Sequence, residues 1–447
     1  MALAATTVFE VQTGGSDTNG GGFVSDSVGT DYSQQAAAEI AVADGVTDGT
    51  VAVSSATANF PADCVGSIVY IEGGTGSIVG AWYEVMVRNS ATVINVDRVT
   101  GLTTGTGVTL NLGGALASPG GLGAVLAAHG VAGMKAYMKS GTYAYTSATS
   151  NISGGKLDLY AAIPNQLFTL KGYETDRDDY YPDHARPFVN GDGQAAAIMI
   201  KMGGGTSGPH TVENIEVDGA NHASVNGIAG ICAYYNFAYK CKASQCDGTT
   251  VFAGLRAVRC VASDCNANGF LSCMIDRCWA DSCGYGFLIS NIYHATNCIA
   301  SNNSSDGFNG SDSMAMGCSS FGNTGDGFSA GAGNPCVFDN CISYGNTGKG
   351  YNNAALLSLI NCAAGSNSGG YTNVTPLLDI DPITLTADPF TNAAGGDFSL
   401  NNTAGGGALC RAAGISPVGQ TGFPDIGAVQ HEDVPYINSR RNTLIGR

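Results

Sequence analysis

The sequence predicts an all-β solenoid, because three columns of side chains recur with a period of roughly 20 residues, the signature of a coil that stacks on the next coil. Cys241, Cys260, Cys278, Cys298, Cys318, Cys341 and Cys362 form the first column, one per coil. Five positions after them stand Cys246, Cys265, Cys283, Asn303, Asn323, Asn346 and Asn367, a second column that changes from Cys to Asn midway. Phe270, Phe287, Phe308, Phe328, Tyr351 and Tyr371 make the third. Inward positions are kept while intervening lengths vary, as stacking of coils requires. Successive strands lie ~4.8 Å apart, so equivalent residues become ladders. Thiols pack inside, asparagines hydrogen-bond along the stack at a turn, and the aromatic after each glycine points inward.

Composition agrees. Glycine supplies 65 of 447 residues without a collagen period, and 44% of residues are hydrophobic, which describes a folded, turn-rich chain. Fifteen cysteines suggest a disulfide scaffold at first sight, but their coil spacing makes them buried free thiols. Zinc needs four converging ligands, usually from CxxC knuckles, and this chain has CxxxxC pairs with apolar neighbours. The expectation is no metal and no cofactor.

The net charge is −17, and no Lys or Arg precedes Arg88. Nucleic acid is not an expected partner, because phosphate binding needs clustered cations and the sequence displays none outside a short C-terminal tail. The same gap leaves no basic region for a conventional signal peptide. No run of about 18 apolar residues predicts a membrane span. A product kept in the cytosol until release is expected.

The elements follow in order. Residues 1–40 form an N-terminal arm with a first strand. Residues 41–117 carry "TVAVSSATANF", "GSIVYIEGG", "AWYEVMV" and "ATVINVDRV", which alternate apolar and polar residues and predict a small inserted module of antiparallel strands. Residues 118–200 open with "SPGGLGAVLAAHG", a helix with Ser118 as cap, Pro119 at its start and Gly130 as stop, placed to cover an exposed end of the solenoid. His129 reads as a helix-end residue. Residues 201–375 are the regular coils, 376–431 the final coils and a closing strand, and 432–447 a basic tail.

"TGGSDTNGG" at 13–21, "MKAYMKSGTYAY" at 134–145 and "PDIGAVQH" at 424–431 extend the pattern. With them the chain resembles the right-handed parallel β-helix, or pectate-lyase-like, proteins over residues 118–430. They look like the opening, the first wall strand and the closing strand of such chains. The departure is a long insert between the first two. The resemblance implies a fold, and no position matches a catalytic residue of its enzymes, so none is carried over. The chain also resembles the β-helical virion proteins of tailed phages, which leave the cell by lysis. That likeness implies a non-catalytic structural protein, a head decoration, fibre or tailspike-like homotrimer, assembled in the host cytoplasm with other virion proteins. A polysaccharide hydrolase or lyase is the alternative, with a glycan as partner, and a surface adhesin a further one.

Three groups of candidate site residues remain. Asp306 and Asp326 occupy the same place in consecutive coils, a geometry for paired catalytic carboxylates, against which stands the turn chemistry of Asp before Gly. Asp176, Asp178, Asp179, Asp183 and His184 crowd an aperiodic loop fit to hold Ca²⁺ or stack a sugar, or merely to be solvated. Arg440, Arg441, Arg447, Leu444 and Ile445 give the tail charge and an apolar tip for docking on an acidic neighbouring subunit.

Overall fold

A computed structural model describes residues 8–23, 40–43, 50–55, 60–97, 105–144, 155–159, 167–179, 184–191, 198–202, 210–222, 226–229, 236–271, 274–290, 294–331, 335–353, 357–370, 378–414 and 425–430. The chain is a right-handed parallel β-helix with two compact units, residues 1–194 with 200–215, and residues 195–199 with 216–447. No helix among the described residues is long and apolar enough to cross a membrane.

In the first unit, Val8–Val11 runs parallel to Lys135–Lys139, which pairs with Phe168–Tyr173 and then His210–Glu213. "MKAYMK" is therefore the second strand of its wall, because the N-terminal arm adds a strand outside it. The sequence motif at 13–21 has a mechanical explanation. Asp17 accepts hydrogen bonds from the backbone N–H groups of Ala117 and Ser118 and from the Ser118 hydroxyl. Ser118 in turn caps the helix Pro119–His129 by accepting from the N–H of Gly121 at 3.0 Å. The helix stops at Gly130, as its sequence predicts.

The insert between these parts is a closed sheet. Seven strands run in the order Gly105–Thr106, Ile40–Ala43, Thr50–Ser55, Val93–Asp97, Ile78–Ser90, Ile68–Gly73 and Val108–Leu112. The outermost two are separated by Gly107 alone, so one interrupted strand joins both edges and curls the sheet into a small barrel. Val51, Val53, Phe60, Val69, Tyr83, Val85, Ile94, Val96 and Leu110 fill it. The long strand Ile78–Ser90 spans both halves, with register shifts that let it bend.

The second unit holds the regular coils, each made of three short strands. In one coil these are Met274–Asp276, Trp279–Asp281 and Phe287–Ser290, and every strand pairs in parallel with its equivalent in the next coil. Two left-handed residues turn each coil: Lys240, Arg259, Arg277, Asn297, Gly317, Asn340 and Asn361 directly before the first cysteine column, and Gln245, Asp264, Ser282, Asn302, Gly322, Gly345 and Ser366 directly before the second. Each such turn swings the following Cys or Asn inward. All seven thiols of the first column are buried and free of disulfide partners. The stacked rings extend one rung earlier than the sequence suggests, to Phe252, and run through Phe270, Phe287, Phe308 and Phe328 with centroids 4.7–4.9 Å apart, then to Tyr351. Tyr371 lies outside the described residues. The glycine before Phe270, Phe287, Phe308 and Phe328 is required by close approach: a Cβ on Gly307 would stand 2.4 Å from the Ser320 hydroxyl and 2.8 Å from the Asn323 amide.

"PDIGAVQH" departs from expectation. Residues 425–430 form no strand; Asp425 and Gln430 hydrogen-bond each other's end of a loop turned at Gly427, where φ is 102°. The loop lies on the outside of the second wall, with the Gly427 N–H on Asn340 O and the Ala428 N–H on Ser319 Oγ. Around it Leu385, Phe390, Phe398, Leu400, Cys410 and Ile426 cover the outward Ile299, Ile342 and Ala363. A second apolar core thus forms outside the solenoid, which one-coil periodicity does not reveal.

Candidate anion-binding face

Asp306 and Asp326 do occupy equivalent positions, and their oxygens are committed to the coil stack. Asp306 accepts from the Asp326 N–H at 2.8 Å and from the Asn309 amide at 2.8 Å. Asp326 accepts from the Lys349 N–H at 2.7 Å and from the Asn352 amide. These carboxylates cap the backbone of the next coil, the work that Asn226 performs for Thr249 and Thr250. Burial raises the pKa of Asp306, against the opposing effect of these donors.

The acidic loop is similarly tied down. Asp178 forms an ion pair with Lys171 at 2.9 Å, which lowers its pKa, although its side chain is 99% exposed. Asp179 accepts from the N–H groups of Asp176 and Thr175, and these bonds lower its pKa. His184 lies 3.4 Å from Glu174 and 3.6 Å from Asp179. Within the same loop, Arg177 reaches over the Tyr137 ring to the buried Glu10 carboxylate, which also accepts the Tyr173 hydroxyl. Asp183 lies outside the described residues, among which no cluster of three His, Cys, Asp or Glu side chains is placed to hold a metal ion.

The two inward columns are structural. Thiols of the first donate to the carbonyl two residues earlier, as Cys278 does to Asp276 and Cys298 to Thr296. In the second, Cys246, Cys265 and Cys283 give way to an amide ladder in which Asn303 donates to Asn323, Asn323 to Asn346 and Asn346 to Asn367, at 2.8–3.0 Å. Arg440, Arg441, Leu444, Ile445 and Arg447 lie outside the described residues.

A fourth grouping lies outside the three that the sequence suggests. Strand register turns Phe237, Arg256, Met274 and His294 into one outward column of the first wall, and Tyr239, Val258, Asp276 and Thr296 into its neighbour. Beside them, at the left-handed turn, Lys240, Arg259 and Arg277 follow one another coil by coil. Arg256 and His294 are exposed, and Phe237, Tyr239 and Met274 half-buried. The guanidinium of Arg256 lies 5.7 Å from the Phe237 ring centroid, and Arg259 donates to the Tyr239 hydroxyl at 3.4 Å. Asp276 supplies the single carboxylate among these strands and turns, and it pairs with Arg277. The expectation that cations are nowhere clustered outside the tail is therefore corrected. A full coil of chain separates each from the next in sequence, and the stack brings them to adjacent coils. The signal was legible, since each stands one residue before a column cysteine.

The left-handed conformation sharpens the observation. Asn and Gly fill that turn in the later coils, whereas Lys and long-chain Arg there cost roughly 1–2 kcal/mol each. Cations, aromatic faces and sparse carboxylates suit an extended anion that also offers apolar faces, with guanidinium groups shaped to grip carboxylates in pairs.

No family model matches the chain, and no curated protein matches it. Among solved structures, the mannuronan C-5 epimerase AlgE4 A-module of Azotobacter vinelandii aligns over 60% of this chain and 77% of its own, at 13% identity and a TM-score of 0.39. The periplasmic alginate epimerase AlgG aligns over 57% and 77%, at 10% identity and a TM-score of 0.29. The catalytic unit of the GH87 α-1,3-glucanase of Streptomyces thermodiastaticus aligns over 81% and 94%, at 11% identity and a TM-score of 0.32. These chains are similar in general architecture, and the parallel β-helix assignment of this chain stands on its own strand registers.

Proposed function

We propose that this protein binds an acidic polysaccharide along the outward face that carries Arg256, Arg259, Lys240 and Arg277. The observation that carries the reading is their alignment on consecutive coils beside Phe237, Tyr239 and Met274, in a chain whose net charge is −17. Rings supply stacking surfaces for pyranose faces and guanidinium groups supply partners for uronate carboxylates. Titration with a polyuronate and with a neutral glucan tests the reading. Binding is expected for the polyuronate alone, weakening with salt; equal affinity for both, or for neither, overturns it.

The finer assignment is a rigid, homotrimeric structural protein of a phage particle that meets glycan through this face. Its support is the resemblance to the β-helical virion proteins of tailed phages, together with the continuous ladders, which make the coils stiff. Light scattering tests the trimer, and imaging of particles tests the location. Catalysis at the same face is the second reading, favoured by His294 standing in the outward column with Arg256. Proton abstraction beside a uronate carboxylate needs a cation to neutralise that carboxylate and a base to take the proton. Appearance of unsaturated uronate ends, abolished by His294→Ala, would establish it.

A further inference from the structure

The two units treat a terminal strand differently. In the first unit the end strand Val8–Val11 is flanked by the antiparallel Gly22–Phe23, and the helix Pro119–His129 packs beside it. In the second unit the last strand of the first wall, Leu378–Ile380, pairs on one side with Leu357–Ile360 and on its other side with no strand among the described residues. It is exposed along its length, with Leu378 at 44% and Ile380 at 37%. Such an edge offers unpaired backbone groups to any extended chain. Its chemistry is also selective. Asp379 takes the register position held by the fully buried Leu359 one coil earlier, and Asp381 follows it in an exposed left-handed turn.

We propose that this edge is a docking site and that its occupant is the chain's own segment 432–447, added as a further strand. Three features select that occupant. Reach is the first: the described chain last appears at Gln430, in a loop whose Gly427 N–H meets Asn340 O, two coils before the end strand. Two coils span about 10 Å at the usual strand spacing, and the chain beyond Gln430 covers up to ~55 Å when extended. Charge is the second. Arg440, Arg441 and Arg447 complement Asp379 and Asp381, where pairs beside a strand edge fix register more than they add affinity. Apolar match is the third, because Tyr436, Ile437, Leu444 and Ile445 provide partners for the exposed Leu378 and Ile380. Backbone hydrogen bonds then supply attachment and alternate side chains supply specificity.

Hydrogen exchange on the full chain and on a chain ending at residue 431 tests the proposal, with mass followed by light scattering over a dilution series. Amides of 378–380 are expected to be protected in the full chain and to exchange roughly tenfold faster or more after truncation, while coils from Phe308 to Tyr351 keep their protection and the mass per particle keeps its subunit count. Asp379→Lys with Asp381→Lys in the full chain is expected to release the same amides. A peptide of residues 432–447 added to the truncated chain is expected to restore their protection. Unchanged exchange at 378–380 after truncation overturns the docking, and protection that fades on dilution together with a falling mass overturns the same-chain occupant in favour of a second copy.

Discussion

The carboxylate of Asp306 accepts the backbone N–H of Asp326 at 2.8 Å, one coil further on, and Asp326 repeats the contact with Lys349 at 2.7 Å. A pair that resembles a catalytic dyad in sequence is thus a rung-to-rung tie. Two consequences separate the roles. Asp306→Asn keeps an acceptor for the Asp326 N–H, and because burial raises the Asp306 pKa the neutral amide avoids the cost of a charge there. Stability is therefore expected to hold or rise near neutral pH in Asp306→Asn, whereas Asp306→Ala leaves the N–H unpaired and costs roughly 1–3 kcal/mol. Chemical denaturation of both variants checks this.

Glu84 provides a test by pH. It is 7% exposed, and burial, then the nearby Asp97 carboxylate, pushes its pKa up to about 7. A carboxyl whose folded pKa exceeds its unfolded value binds its proton more tightly when folded. Its contribution is therefore most favourable below the unfolded value of about 4.5, and falls as pH rises from there to about 7. Glu84→Gln is expected to remove this slope, with a gain of at most roughly 3 kcal/mol above pH 7. Thermal denaturation from pH 5 to pH 8 reads it, and parallel curves for the two proteins would refute it.

The ring stack is expected to be the most sensitive part of the coils. Phe308 has neighbours at 4.7 Å on both sides and is 1% exposed, so Phe308→Ala should cost roughly 3–5 kcal/mol. Asn323→Ala should cost about 2 kcal/mol or more, because Asn303 loses the acceptor of both its backbone and its side-chain N–H. Urea unfolding measures each.

At the outward face, Arg256→Ala combined with Arg259→Ala is expected to lower affinity for a polyuronate about tenfold or more, from hydrogen bonds to charge worth roughly 1.5–3 kcal/mol each. The salt dependence of binding should weaken with it. Removing Arg259 also relieves a left-handed turn, so Arg259→Asn or Arg259→Gly is expected to raise stability while lowering affinity. A simultaneous loss of both would assign Arg259 to the fold instead.

Thiol titration in denaturant without reductant is expected to count close to fifteen, the cysteine content of the chain. Thirteen are described, and all are free and buried. A count lower by several pairs would refute this.

The coil is written into the order of residues. Cys298, Asn303 and Phe308 repeat because each occupies an inward place whose neighbours above and below are its own equivalents, so a local period reports a tertiary contact. The helix after Ser118 was legible for a different reason, its cap and stop being local. What the stack does outside itself was decided only in three dimensions. Ile299, Ile342 and Ala363 become buried because Phe390, Phe398 and Ile426 return across them from one or more coils further along the chain. Gly107 closes the inserted sheet by joining two edges that no alternation pattern connects. Periodicity records contacts between equivalent positions, and these contacts join positions that are not equivalent, so their physical cause, burial of outward side chains by a distant segment and closure of a sheet on itself, leaves no repeat to read.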